Sequence, residues 1–227
     1  MQEALVAGEN RIFRADFATR RSIQDLGGVI VACSVPGAGG VSPTGATGRI
    51  TFYGTQSLAV KATKMTIALR IRTPAANNAA QTILVAKSPS ALNANQWHLT
   101  IEANRILRLY VANAAGDTGQ FISLNGALSV STEYAIHAVF DGTLAVGSRA
   151  ALFLSGAVAA STISGTIPAA MTPGIVPVSV LNLNGGTASA PATDTILRTV
   201  SIYPGVAFSD ADVQQDFLNN LSSGVTP

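Results

Sequence analysis

Residues 65–72 read MTIALRIR, and their alternation decides the fold class. Met65, Ile67, Leu69 and Ile71 fall on one side of an extended chain, while Thr66, Ala68, Arg70 and Arg72 fall on the other. A period of two is the signature of a β-strand with one face on a core. The same alternation returns at Trp97, Leu99 and Ile101 against His98, Thr100 and Glu102. It returns again at Leu107, Leu109 and Val111 against Arg108 and Tyr110. Further strands are expected at Ile50 to Tyr53, Thr82 to Ala86, Phe121 to Leu124, Tyr134 to Phe140, Ala150 to Leu154, Val176 to Leu183 and Thr195 to Tyr203. Turn-rich stretches separate them at Pro74 to Asn78, Ser88 to Asn95, Ala114 to Gly119, Asp141 to Gly142 and Asn184 to Pro191. Many short strands at fairly even spacing describe an all-β sandwich or barrel, not a βαβ chain.

One helix is signalled near the C-terminus. Ser209 is placed to cap it, Asp210 and Asp212 put negative charge in its first turn, and Phe208 is placed to staple to Val213. Val213, Phe217 and Leu221 share a stripe that suits packing on a sheet. Residues 1–25 are expected to be an N-terminal strand or an arm that reaches a neighbour, with Phe13, Arg14, Phe17, Arg20 and Arg21 as its contact residues. Residues 26–227 are expected to form a single domain, because no linker or internal repeat divides them.

Composition narrows the function classes. Charged residues make up 11% of the 227, against about 25% in ordinary soluble domains. A surface with so few charges is poorly protected from association, which favours a subunit covered by neighbours. The net charge of +2 hides an asymmetry. Twelve Lys/Arg face five Asp/Glu up to Tyr110, and two face seven beyond it. This reads either as sheets of opposite sign or as head-to-tail contact between subunits. The basic residues are scattered, without the clustered Lys/Arg and interleaved aromatics of a nucleic-acid binder. No run reaches the length of a membrane span. The first residues include Glu3, Glu9 and Arg11 and do not resemble a signal peptide, so synthesis in a cytoplasm is expected. Cys33, the single cysteine, lies among Val29, Ile30, Val31 and Val35 and reads as a buried hydrophobe.

Catalytic readings find little support in these residues. A retaining glycosidase needs two carboxyls about 5–5.5 Å apart, and the only closely spaced set, Asp210, Asp212 and Asp216, falls on the helix. Glu102, Glu133 and Asp141 stand alone. A nucleophilic triad would have to use His98 or His137, and neither sits in a nucleophile elbow. Zinc lacks a ligand cluster, and Gly45 and Gly48 lack the Lys-Ser/Thr of a phosphate-binding loop. The expectation is therefore a protein without catalytic residues, metal site or cofactor. Calcium stays open at the rim, where Asp117, Asp194 and Asn184 lie in loops. The residues that could form a polar ligand groove are His98, Thr100, Glu102, Arg108 and Tyr110, on the face opposite the core-facing Trp97.

The order of segments resembles the concanavalin A-like, laminin G-like family. The carriers are ITFYGTQSLAV (50–60), the strand at 65–72, Lys87 followed by WHLTI (97–101) and the strand to Val111, YAIHAVFDG (134–142), ALFLSG (151–156), and LRTVSIYPGVAFSDADVQQDF (197–217). Together they span about three quarters of the chain. The resemblance implies a two-sheet antiparallel jelly-roll sandwich with a short C-terminal helix, and a partner that is a carbohydrate or a protein. A domain of this type made without export resembles the free-standing structural proteins of bacteriophages. The expected function is thus a non-enzymatic virion subunit, a capsid decoration or head-associated protein that forms homo-oligomers or binds a capsid protein. The alternative is a glycan-binding module or a receptor-binding fibre tip.

Overall fold

The computed structural model describes residues 13–17, 28–34, 40–55, 58, 62–76, 81–87, 97–112, 121–171, 176–183 and 192–222. Two antiparallel sheets stack face to face. The six-stranded sheet runs β1 (Phe13–Asp16), β16 (Ile196–Pro204), β6 (Lys64–Arg72), β11 (Glu133–Asp141), β12 (Ala150–Leu154), β13 (Ala157–Val158). The eight-stranded sheet runs β14 (Ser161–Ser164), β10 (Phe121–Leu124), β9 (Leu107–Val111), β8 (Trp97–Ile101), β7 (Thr82–Lys87), β15 (Val178–Val180), β5 (Arg49–Phe52), β2 (Gly28–Val31). A short ribbon pairs β3 (Cys33–Ser34) with β4 (Ser42–Pro43). With one C-terminal helix, α1 (Asp210–Ser222), this is a jelly-roll β-sandwich.

The core is the set of side chains the alternation singles out. Met65, Ile67, Leu69 and Ile71 of β6 are buried, and so are Trp97, Leu99 and Ile101 of β8 and Leu107, Leu109 and Val111 of β9. They meet Ile136, Ala138 and Phe140 of β11 and Val200 and Ile202 of β16 in one continuous cluster. The sides of the sandwich are bridged by successive strands. The chain passes from β13 at the edge of one sheet to β14 at the edge of the other, and the edges opposite them are β1 and β2. Gly142 makes a close approach possible, since a Cβ there would collide with the backbone carbonyl of Ala169.

The structure corrects three expectations. The central strands are buried on both faces, not half-buried: Thr66, Ala68 and Arg70 of β6, and His98 and Thr100 of β8, are all buried. On β6 the segment after β16 crosses the outer face at Thr66, and Asp216 and Phe217 of α1 border a cleft over Ala68 and Arg70. Thr66 Oγ1 donates to the carbonyl of Val206 at 3.0 Å and accepts from the amide of Phe208 at 3.0 Å. Of the strand and the arm expected for the N-terminal segment, Phe13–Asp16 is the strand, and Phe13 and Phe17 are not held out to a neighbour. β1 pairs with β16, Phe13↔Ile202 to Asp16↔Thr199, and both rings lie in the chain's own core around Phe52. Arg20 and Arg21 lie outside the described residues. Nor do the sheets carry opposite signs. The strands of one hold Arg14, Lys64, Arg70, Arg72 and Arg198 against Asp16, Glu133 and Asp141. Those of the other hold Arg49, Lys87 and Arg108 with no acid. The negative charge gathers instead on α1, at Asp210, Asp212 and Asp216.

Candidate functional site

The expected groove residues come together on the outer face of the eight-stranded sheet, because register stacks them in rows. His98 pairs with Tyr110 and Thr100 with Arg108. Tyr110 in turn pairs with Phe121, and Arg108 with Ser123. Glu102, one step beyond β8, continues the phase of His98 and Thr100.

The rows form an aromatic and polar cluster. The rings of His98 and Tyr110 stack at 4.3 Å, Tyr110 and Phe121 lie 5.2 Å apart, and the Arg108 guanidinium sits 4.7 Å over the Phe121 ring. Glu102 Oε1 accepts from Thr100 Oγ1 at 3.0 Å, from Gln81 Nε2 at 3.0 Å and from the Tyr110 hydroxyl at 3.3 Å. Arg108 reaches the Tyr110 hydroxyl at 3.3 Å and Glu102 Oε2 at 3.7 Å. The side chains of Arg108 and Glu102 are 29% and 19% exposed, while His98 and Thr100 are shut off from solvent. The structure thus splits the five residues into two sets. Glu102, Arg108 and Tyr110 are partly exposed, joined by Phe121; His98 and Thr100, beside Tyr110 and Arg108 on the same face, are buried. Burial pulls the His98 imidazole down to about 3, which keeps it neutral, and burial also raises the Tyr110 phenol. Phe121 and Gln81 were not foreseen. Their membership depends on cross-strand register, which has no local sequence signal.

A second polar site lies on the outer face of the six-stranded sheet, beside α1. It is a shallow cleft bordered by Arg14, Arg70, His137, Thr199, Ser201, Tyr203 and Asp216. His137 Nε2 lies 2.8 Å from Asp216 Oδ2 and ties the helix to β11.

Other expected features are placed as follows. Asp194 Oδ2 accepts from the amide of Ala75 at 2.6 Å, and Asp117 and Asn184 lie outside the described residues. Among the described residues no group of three His, Cys, Asp or Glu is gathered in a way that could hold a metal. Cys33 is buried, and burial pushes its thiol up to about 12, far from the thiolate a nucleophile needs. Lys87 is buried as well. Its ammonium donates to the carbonyl of Val176 at 2.6 Å, and burial lowers it to about 8.

Comparison with solved structures returns the same architecture in larger chains. Trypanosoma rangeli sialidase aligns with a TM-score of 0.60 at 12% identity, over 88% of this chain and 30% of its own. A mutant of that enzyme displaying trans-sialidase activity aligns with a TM-score of 0.61 at 15% identity, over the same 88% and 30%. The botulinum neurotoxin type G receptor binding domain aligns with a TM-score of 0.52 at 13% identity, over 76% of this chain and 40% of its own. No model of a protein family and no curated protein sequence matches the chain. This chain spans about 30% of the sialidase chains it matches. At such identities the likeness is one of fold, a β-sandwich of the kind present in these proteins. It overturns the expectation that set this chain apart from enzymes. The chains that share its fold over most of its length include sialidases, so lack of catalysis does not follow from the architecture.

Proposed function

We propose that this chain is a recognition module whose outer eight-stranded face binds a saccharide. The observation that carries the reading is the joining of half-buried Tyr110 and Phe121 to Arg108 and Glu102 on one rigid patch of strand. Saccharide rings pack on aromatic faces while their hydroxyls take charged and amide partners, and apolar walls with a few placed polar groups define such sites. Here the polar groups are pre-oriented. Glu102 is held by Thr100, Gln81 and Tyr110, and Tyr110 is backed by the His98 ring. That support on regular strands lowers the ordering cost of binding. The likeness to a receptor binding domain and to sialidases supports a sandwich used for recognition, in which the saccharide belongs to a receptor or to a larger substrate.

A glycan array run with and without calcium tests the reading, with isothermal titration of the best hit. Tyr110→Ala and Arg108→Ala should each weaken binding about tenfold or more, the loss of one stacked or charge-assisted contact. Wild-type binding to no glycan, or variants that bind as well as wild type, would remove the proposal.

A second reading keeps the module in a particle. The low charge content and exposed Val29, Tyr53 and Val158 suit a virion subunit, a capsid decoration or head-associated protein that assembles with itself or with a capsid protein. Stable oligomers in size-exclusion chromatography, or co-sedimentation with capsids, are its expected outcome. A monomer with no affinity for particles would refute it.

A further inference from the structure

We infer that the cleft on the outer face of the six-stranded sheet binds an oxyanion group, a carboxylate or sulfate, at the end of a small ligand. Strand register builds this cleft. One row across the sheet places Arg14, Ser201, Ala68 and His137 side by side, and the next places Asp16, Thr199, Arg70 and Ala135. Ala68, between Ser201 and His137, and Ala135, beside Arg70, are small residues in the lining of the cleft. Arg14 stands at the exposed β1 edge, Tyr203 is one row further along β16, and Asp216 and Phe217 of α1 close the other side.

The chemistry of the lining selects the ligand. Its cations are Arg14 and Arg70; the acid in its lining, Asp216, lies 2.8 Å from His137 and, with Glu133, within electrostatic reach of Arg70. The neighbouring Glu133 is engaged by Arg198, whose Nε donates to it at 3.0 Å. Thr199, Ser201 and Tyr203 add hydroxyls, and Tyr203 lies within electrostatic reach of Arg14 and Asp216. Guanidinium and hydroxyl donors on a shallow concave patch match the oxygens of a carboxylate or sulfate.

A second, independent feature points to a ligand. His137 is 2% exposed, and its Nδ1 is buried without a hydrogen-bond partner. Such an atom is costly in a folded protein; with Nε2 donating to Asp216, Nδ1 is left as an acceptor, which a hydroxyl donated by the same ligand beside its oxyanion would satisfy. The cavity volume of about 20 Å³ has room for one or two water-sized groups. It therefore admits an end group, with the rest of the ligand lying over Arg14 at the rim. The site is separate from the Tyr110 patch, which lies on the outer face of the other sheet.

The test is an amide NMR titration of the whole chain with glucuronate, glucose 6-sulfate, inorganic sulfate and, as the uncharged control, glucose. Glucuronate or glucose 6-sulfate should move the amides of Ala68, Arg70, Ala135 and Ser201 at millimolar ligand, and glucose should not. Arg14→Gln, at an exposed position, should weaken the response about tenfold. Tyr203→Phe keeps the ring packed on Phe208 at 4.7 Å and should weaken it to a smaller degree. Glu102→Gln and Tyr110→Ala, on the other face, should leave it unchanged, which separates this site from the proposed saccharide patch. A response to inorganic sulfate as strong as to the sugars would keep the site and name its ligand as the free anion. Equal responses to glucose and glucuronate, no movement of these amides, or undiminished binding by both Arg14→Gln and Tyr203→Phe would overturn the inference.

Discussion

His98 shows how one residue's surroundings decide its chemistry. In sequence it is a polar residue on the face opposite a core tryptophan, a natural ligand contact. In the fold it lies beside Tyr110 with its ring stacked at 4.3 Å, and desolvation lowers it from 6.5 to about 3. The unfolded chain therefore binds a proton at mildly acidic pH that the folded chain refuses, so stability falls as pH drops below 6.5 and levels off near 3. By pH 5 the loss from this residue is about 2 kcal/mol relative to neutral pH. Urea midpoints at pH 7 and pH 5 should show it, and His98→Gln should flatten that slope whatever it does to stability at pH 7. A wild-type protein equally stable at both values would contradict the assignment. Trp97, its neighbour, was legible from phase alone, because Leu99 and Ile101 fix the inward direction and the strand has only two.

At the scale of elements, helix α1 was readable almost to the residue. Ser209 and Asp212 form the reciprocal cap. The Ser209 amide donates to Asp212 Oδ2 at 2.8 Å and the Asp212 amide to Ser209 Oγ at 3.3 Å; the Ser209 hydroxyl, 2.7 Å from Asp212 Oδ2, and the Ser209 amide hold the Asp212 carboxyl below the usual range. Val213 is buried with Val139 and Phe153, with Phe208 packed beside them. Ser209→Ala should cost about 1 kcal/mol, read as a fall of about 2–4 °C in melting temperature for a chain of this size. An unchanged melting temperature would show that packing alone holds the helix. Unlike the cap, the bond from Asp216 to His137 joins residues 79 apart in the chain. Nothing near either residue announces the other. The short strands β13 and β14 were also missed, since two to four residues of Ala, Val, Ser, Thr and Ile carry too little pattern to register as a strand.

For the whole molecule, the N-terminal segment is the informative case. A strand and an arm read alike there, as alternating Phe and Arg. Pairing of β1 with β16, at the far end of the chain, makes Phe13–Asp16 an edge of the sheet and seats Phe13 and Phe17 on Phe52. Deletion of residues 1–17 should cost about 3–6 kcal/mol from the two rings alone, and it would also strip the edge of β16. Denaturant unfolding of the truncated chain measures it. A loss under about 1 kcal/mol would mean that the segment is dispensable to the fold.

What the sequence determined by itself was everything that depends on a residue and its close neighbours in the chain. That includes the direction of each side chain along β6, β8 and β9, the turn at Asp141–Gly142, and the cap and stripe of α1. These follow from a period of two or 3.6 and from hydrogen bonds spanning a few residues. Tertiary structure alone decided which strands lie side by side. That choice joined Phe121 to Tyr110 and placed Arg14, Ser201, Ala68 and His137 in one row, while packing from elsewhere in the chain buried the outer faces of β6 and β8. Register between distant strands is a property of closing the whole sandwich, and no local stretch of residues encodes it.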